Sequence, residues 1–381
     1  MNNIMIENKE ASFWMAFAHL PKWRNEKINR LIVEILHNRK ISFIDFFKLN
    51  QSEWQKEFNL NFKEINDLLN AKNELPNYSF LAENLFAQGF KLIPINSEYY
   101  ANTLKQNLKL KFSPPLLYTK GNNQLLNEDT VAIVGSRNAS DISLRFTKQI
   151  AHKCAKDYEV VVSGFAKGVD KAALDYTLDV NGHSIIVLPQ GIMTFGNGFK
   201  KYYRQIIDGD VLVLSTYHPK APWSVGLAMG RNVYIYGLAK KIYVAESNSN
   251  GGTWAGVIDG LRKGRKIFVR KPELSEKNAN ETLIQKGAIP VDMNGIPVDM
   301  NGEGIETLKD DYLEIKIKRT LSSIPLTVKQ IKEQLALDID SRKLSNMLKE
   351  FDFVISEKKN RRLFFRLRSS KSLQGNLFEQ Y

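Results

Sequence analysis

Two stretches of this chain join small residues to a cation in a spacing that suits phosphate. Gly135-Ser136-Arg137 follows Val131-Ala132-Ile133-Val134, and Ser163-Gly164-Phe165-Ala166-Lys167-Gly168-Val169-Asp170 follows Val160-Val161-Val162. Each is a β-branched run that stops abruptly at glycine. Buried strand, glycine turn and helix N-terminus are how a parallel α/β sheet offers backbone N–H groups to an anion. Arg137 adds a guanidinium fork and Ser136 a hydroxyl, a set that fits a phosphodiester. The alternative for Arg137 is a tight turn, with the guanidinium paired to an acid such as Asp170. Gly164 and Gly168 permit close backbone approach. Lys167 and Lys171, one helical turn apart, could follow the phosphates of a strand. Asp170, at a helix start, reads first as a cap. Neighbouring strands would bring Arg137 and Lys167 side by side.

Arg231-Asn232 supplies a second candidate anion ligand, Arg231, ahead of Val233-Tyr234-Ile235-Tyr236. Tyr234 and Tyr236 suit either base stacking or core packing. Glu246 and the turn Gly251-Gly252-Thr253 form a candidate nucleotide-binding group. There Glu246 could act as a general base, accept a ribose hydroxyl or neutralise Arg231. GxxxxGK[ST] is absent, as is GxGxxG after the first strand, so neither a Walker site nor a dinucleotide fingerprint is expected. The five histidines are scattered and Cys154 is the single cysteine. No metal, disulfide or cofactor is therefore expected, and Cys154 reads as a core residue.

These loops need strands and helices to hold them. Strands are expected at Val131–Val134, Val160–Ser163, Ile185–Leu188, Val211–Leu214, Ile242–Ala245 and Ile267–Val269. Helices are expected between them at Leu144–Lys156, Lys171–Asp179, Lys200–Ile207 and Thr253–Arg262. Such alternation predicts a parallel sheet with right-handed crossovers, helices on both faces and ligands at the carboxyl ends of the strands. Before it, residues 1–85 show helical periodicity and form a small helical (SAM-like) module, suited to DNA binding or to packing. The α/β core is placed at 86–290. An exact duplication of Ile-Pro-Val-Asp-Met-Asn-Gly spans 289–302 and reads as a tolerant loop, with a linker at 291–314.

Of the 381 residues, 54 are Lys or Arg and 41 Asp or Glu, a formal net charge of +13. That favours anionic partners, nucleic acid or an acidic membrane, without choosing between them. No run of about 18 apolar residues is present, nor a signal-peptide core, so the expected compartment is the cytoplasm, with no membrane partner. Residues 315–371 carry 15 Lys and Arg against 6 Asp and Glu. Their order of two helices and a basic hairpin is that of a winged helix at 315–370, in which Ser341, Arg342, Lys343 and Asn346 would face DNA.

In order along the chain, Tyr99-Tyr100, Pro114-Pro115-Leu-Leu-Tyr, the Gly135-Ser136-Arg137 and Ser163–Asp170 motifs, Arg231-Asn232, Val244-Ala245-Glu246 and Leu283-Ile284-Gln-Lys-Gly287-Ala288 resemble the DprA (Smf) family of bacterial DNA-processing proteins. The resemblance implies an α/β fold: an extended Rossmann-like parallel-sheet core, with an N-terminal helical module and a C-terminal winged helix. It implies a non-enzymatic homodimer that binds single-stranded DNA and loads a RecA-type recombinase during recombination or natural transformation. Carried over by position, the DNA ligands are Gly135, Ser136, Arg137, Ser163, Gly164, Lys167 and Gly168, with Lys171 and Arg231 added from the residue reading. Departures mark a divergent branch: Ala172-Ala173 for Ala-His, Gly196-Asn197 for Tyr-Pro, Val233 for an arginine, and Arg270-Lys271-Pro272 for Pro-Gly. Related folds include nucleotide N-glycosidases with Gly-Gly-x-Gly-Thr-x-x-Glu. Gly251-Gly252-Thr253 is similar, but Gly256 stands where the acid belongs. The alternative function is thus a nucleotide sensor or hydrolase, for example in phage defence; a third reading is an interaction scaffold. In the tail, 371–381, Gln374-x-x-Leu377-Phe378 matches peptides that dock on the sliding clamp, or is a frayed end.

Overall fold

The computed structural model describes residues 8–299, 317, 320–321, 325–335, 340–351, 353–359 and 362–367. The clamp-docking pattern Gln374, Leu377 and Phe378 and most of the expected linker lie outside them. The chain divides into two compact units, with the boundary between Ile296 and Pro297.

The first unit opens with helices α1 (Asn8–Ala18), α2 (Asn25–Val33), α3 (Phe43–Lys48), α4 (Gln51–Phe58), α5 (Phe62–Asn73) and α6 (Leu75–Ala87). Asn50 with Glu53 and Asn61 with Glu64 form capping boxes that fix the starts of α4 and α5. Phe17, Phe43, Phe46, Phe47 and Trp54 pack their rings into one buried cluster.

Then follow β1 (Lys91–Pro94), α7 (Asn102–Phe112), β2 (Leu116–Gly121), β3 (Thr130–Val134), α8 (Asp141–Lys156), β4 (Val160–Ser163), α9 (Val169–Leu178), β5 (Ser184–Val187), α10 (Gly196–Lys201), α11 (Tyr203–Asp208), β6 (Val211–Ser215), α12 (Val225–Leu238), β7 (Lys241–Val244), α13 (Gly251–Arg262), β8 (Ile267–Arg270), α14 (Asn280–Gln285) and β9 (Ile289–Val291). The strands form one sheet in the order β1-β2-β6-β5-β4-β3-β7-β8-β9. From β6 to β9 every pairing is parallel, while β2 runs antiparallel to both β6 and β1. β3, β4, β5 and β6 are buried along their whole length, as helices on both faces require. After β6 the chain crosses to the far side of β3, so β3 and β7 flank the switch point, where ligands bind in doubly wound sheets.

The six expected strands are present within a residue or so of their expected ends. Three more, β1, β2 and β9, and helix α12 carry no comparable signal. β1 and β9 are short edges that contain proline. α12 contains Val233-Tyr-Ile-Tyr, a strand-like run, yet Ala228, Arg231, Ile235 and Leu238 are buried at helical spacing. Ser224 accepts the amide of Leu227 at 3.1 Å to start the helix. Tertiary burial overrides local propensity here.

The duplication needs a correction. Its first copy is no loop or linker: it supplies β9 and the turn behind it, and the core therefore runs past 290. Val291 is fully buried with Val131, Ile133 and Ile150. Asp292 Oδ1 accepts the amides of Asn294 and Ile296 at 2.9 and 2.8 Å. Gly295, at φ 72°, closes the turn, where a Cβ would lie 2.6 Å from Ile150 Cδ1. Cys154 belongs to the same core, and burial pushes its thiol well above the ordinary range.

The helical module is fastened to the sheet. Asn29, fully buried, donates to Leu110 and Ser113 carbonyls at 2.8 and 2.9 Å. His19 Nε2 lies 2.8 Å from the Tyr118 hydroxyl on β2, and its ring stacks on Tyr118 and meets His218 edge-on. Burial, then the His218 charge, lowers the His19 pKa from 6.5 to about 3. Between those values the unfolded chain binds the proton and the folded one does not. Stability from neutral His19 is therefore complete above pH 6.5 and is lost as pH falls toward 3. His19→Gln should flatten the stability–pH slope in that window by up to ~1.4 kcal/mol per pH unit. Urea unfolding from neutral to mildly acid pH reads it; an unchanged slope would show that His19 titrates normally in the fold.

The second unit holds β10 (Leu326–Thr327), α15 (Val328–Gln334), α16 (Ser341–Glu350), β11 (Val354–Lys359) and β12 (Arg362–Leu367). Its sheet runs β10-β12-β11, antiparallel throughout. Ile331, Leu344, Leu348, Val354 and Phe365 form its core. No helix among the described residues is long and apolar enough to cross a membrane.

Candidate nucleic-acid interface

The loops after β3 and β4 interlock. Ser136 N–H donates to the Glu246 carbonyl at 2.9 Å, and the Ser136 carbonyl accepts the Val169 amide at 3.2 Å. Its hydroxyl accepts the Asn138 amide at 3.1 Å. One residue thus ties the β3 loop to the end of β7 and to the start of α9. Gly168 makes the approach feasible: its φ is 85°, and a Cβ would collide with the Ser136 carbonyl and stand 2.6 Å from that of Arg137. Gly135 is equally confined, with Val169 Cγ2 2.6 Å from where a Cβ would be. On this framework Arg137 and Lys167 are exposed, and neither side chain has a hydrogen bond or ion pair among the described residues. The site thus presents two free cations from adjacent strand ends beside a backbone without bulk.

Other expected ligands have structural duties. Arg231 is only 3 % exposed, so it is not available as a surface anion ligand. Its Nη1 donates to the Val187 carbonyl at 2.9 Å, and Nη2 lies 4.0 Å from Asp170 Oδ2. Gly164 lacks a side chain because the Arg231 guanidinium fills that space. Asp170 caps the loop rather than α9, accepting the Gly164 and Ala166 amides. Burial raises its pKa; the Arg231 charge, the amides and the Arg137 charge oppose that rise without cancelling it. Arg137 itself makes no ion pair with Asp170. Burial lowers the Arg231 pKa in turn, against the Asp170 charge.

Ser163 is buried, and its hydroxyl donates to the Ile133 carbonyl at 3.0 Å, stitching β4 to β3. Lys171 is ion-paired with Asp175, which also accepts the Tyr202 hydroxyl at 2.6 Å and sits 3.7 Å from Lys201. Phe165, at φ 62°, turns its ring edge-on to Phe195 and Tyr202, an aromatic buttress behind the lysine that carries no signal in the sequence.

Glu246 neither neutralises Arg231 nor faces solvent. Its carboxylate accepts the Ser140 amide and hydroxyl at 2.9 and 2.6 Å and the Ser143 hydroxyl at 2.8 Å, fixing the first turn of α8. Ser143 Oγ in turn accepts from buried Arg270 at 3.1 Å, whose guanidinium is paired with Glu276 at 2.6 Å. This network occupies the place where the resemblance leads one to expect Pro-Gly, and Arg270 reaches it by donating to the Ala245 carbonyl at 3.0 Å. Thr253 donates to the Gly135 carbonyl at 3.0 Å. Gly251 is open, and Gly252 faces the Asn232 amide. Tyr236 is buried, with its hydroxyl 3.4 Å from the Thr253 carbonyl, and Tyr234 receives a hydrogen bond from Asn25. The described residues include no cluster of three or more His, Cys, Asp or Glu able to hold a metal. On α16, Arg342 and Asn346 are exposed one turn apart, with Lys343 following Arg342 in the chain.

The fold is that of a doubly wound α/β protein, with Arg137 and Lys167 exposed on the loops after β3 and β4. The family model of DNA recombination-mediator protein A matches residues 91–296, more than half of the chain, and the chain belongs to that family. It is 32% identical over 178 residues to DNA processing protein DprA of Streptococcus pneumoniae, a match covering 46% of this chain and 63% of that one. It is 25% identical over 294 residues to protein Smf of Synechocystis, covering 74% and 70%. The chain thus spans somewhat under two thirds of the pneumococcal protein in sequence. The X-ray structure of pneumococcal DprA superposes with a TM-score of 0.57 at 25% identity, over 76% of this chain and 95% of that one.

Proposed function

We propose that the chain binds single-stranded DNA, without sequence preference, along the β3–β4 edge and works as a DNA-processing recombination mediator. The observation that carries this is that Arg137 and Lys167 are exposed, without a hydrogen bond or ion pair among the described residues, on two loops that interlock. Cations spaced along a backbone groove track phosphates rather than bases. Gly135, Ser136 and Gly168 contribute the close backbone approach; Ser163, Gly164 and Arg231 build the floor; Lys171, paired with Asp175, steadies α9 behind them. The family supports the further steps: action in natural transformation as a homodimer, loading a RecA-type recombinase, without catalysis. The second unit acts as a winged helix, with Arg342, Lys343 and Asn346 as its DNA contacts. The nucleotide-hydrolase reading loses its support, because Glu246 is committed to Ser140 and Ser143.

Anisotropy of a labelled poly-dT, with duplex and mononucleotide competitors, tests the core reading. Arg137→Ala should weaken binding at low salt and lower the slope of log affinity against log salt by about 0.7 for each phosphate no longer neutralised. Wild-type affinity and slope in the variant, or displacement by a mononucleotide, would refute it.

A further inference from the structure

Away from the β3–β4 edge, unpaired cations also gather around an aromatic ring in the helical module. The α1–α2 hairpin and the start of α5 enclose an open cavity of about 430 Å³ lined by Trp23 with Lys22, Arg24, Lys27, Arg30 and Lys63. Three carboxylates share the lining, and each is already engaged. Glu26 accepts Arg30 at 2.8 Å, Glu64 is paired with Lys27, and Asp67 accepts the Trp23 indole N–H at 2.9 Å. Lys22, Arg24 and Lys63 are exposed, and their side chains have no hydrogen bond or ion pair among the described residues. Five cations against three carboxylates leave the cavity positive. Lys22 sits at φ 64°, where glycine would hold the hairpin with less strain; the chain keeps a cation at the tip instead.

Trp23 is positioned as a platform. Asp67 fixes one edge of the indole, Lys27 Nζ lies 4.5 Å from the ring centre, and the ring stays partly exposed. Phe62, between lining residues Asn61 and Lys63, is 75 % exposed. A fixed aromatic ring among free cations is the combination that holds single-stranded nucleic acid, by stacking a base while meeting its phosphates. The cavity is also joined to the core. Asn25, the first residue of α2, donates to the Phe112 carbonyl at 3.1 Å and to the Tyr234 hydroxyl at 3.4 Å. Tyr234 lies one turn along α12 from Arg231, the residue beneath Gly164.

We propose that the Trp23 cavity is a second contact for the same DNA strand, taking one base on the indole and the adjoining phosphates on Lys22, Arg24 and Lys63. This rests on the reading of the core as a single-strand site. Two contacts on one rigid body raise affinity with ligand length once a strand spans both. The test is binding of dT oligonucleotides of increasing length to wild type, Trp23→Ala, the double variant Arg24→Glu/Lys63→Glu, and Arg137→Ala. The shortest oligonucleotides should bind the cavity variants and wild type alike. At spanning lengths both cavity variants should bind roughly 10- to 100-fold more weakly. Arg24 and Lys63 are exposed and unpartnered, so the charge variant reports even if Trp23→Ala disturbs the module. A charge variant that follows wild type at every length overturns the second contact, as does an equal loss at every length, which marks a diffuse patch. If Arg137→Ala alone loses binding, the core reading stands without the second contact. If Arg137→Ala too binds like wild type, it is the core reading that has failed.

Discussion

Gly168→Ala should destabilise the protein by roughly 3 kcal/mol and abolish DNA binding, although position 168 offers no side chain to any ligand. Its φ of 85° and ψ of −132° lie where residues other than glycine are strained by about 1–3 kcal/mol. The added methyl would also overlap the Ser136 carbonyl and crowd that of Arg137. Those carbonyls cannot retreat alone, because Ser136 is bonded on one side to Val169 and on the other to Glu246. Relief requires the β3 and β4 loops to part, and parting them separates Arg137 from Lys167. Urea unfolding together with dT binding measures both effects. Arg137→Ala supplies the contrast, losing affinity at unchanged stability. A Gly168→Ala protein with the wild-type midpoint and affinity would mean that the interlock does not hold the cations in place.

Arg231→Leu should cost roughly 3–5 kcal/mol, because it leaves Asp170 buried without its counter-charge. The loss has a pH signature. The Asp170 carboxyl already titrates above its ordinary 3.8. A raised carboxyl contributes stability that is complete below the unfolded value and is lost as pH rises through the folded value. Without Arg231 the folded value climbs further, so the deficit should be smallest near pH ~4 and grow toward pH ~7. Adding Asp170→Asn removes the charge yet keeps an acceptor for the Gly164 and Ala166 amides. The double variant should recover much of the loss and the pH dependence should vanish. Independent, additive losses at a single pH-insensitive value would count against the buried pair as the support of the loop.

The contrast between Arg137 and Arg231 shows how far the site was legible in the sequence. Both arginines follow or face glycine-bearing loops, and both are chemically suited to phosphate. Arg137 stands in a turn directly after a strand whose ends are set by its own β-branched run, so its exposure follows from local pattern. The burial of Arg231 depends on α12 being a helix, and Val233-Tyr-Ile-Tyr argues locally for a strand. Glu246 was opaque for a related reason. The serines that claim its carboxylate lie 106 and 103 residues away in the chain, and only the crossing to the far side of β3 brings them together. Ser163 looked like a ligand because strand-end hydroxyls often are, but the neighbouring carbonyl that takes its proton appears only once the strand order is known. Donor types and turn positions are local and could be read; which donors the architecture consumes is set by long-range pairing. The parallel core was legible for the same reason: its strands are continuous apolar runs, whereas the missed edges β1 and β9 are brief and contain proline.

The tandem heptapeptide supplies the last strand and turn of the core twice over. The first copy fills the edge of the sheet beside β8 and closes on Gly295; the second repeats the same seven letters. Losing one copy would hand an identical strand, turn and glycine to the same seat, with Val291 replaced by its own duplicate. What would change is the support behind the turn, where the Asp292 amide donates to the Ile296 carbonyl at 2.9 Å and Val298 is buried, so the residues after the repeat would have to serve in their place. Slippage at this point thus reproduces the strand and turn letter for letter, and selection would act on the residues that follow Gly295 instead.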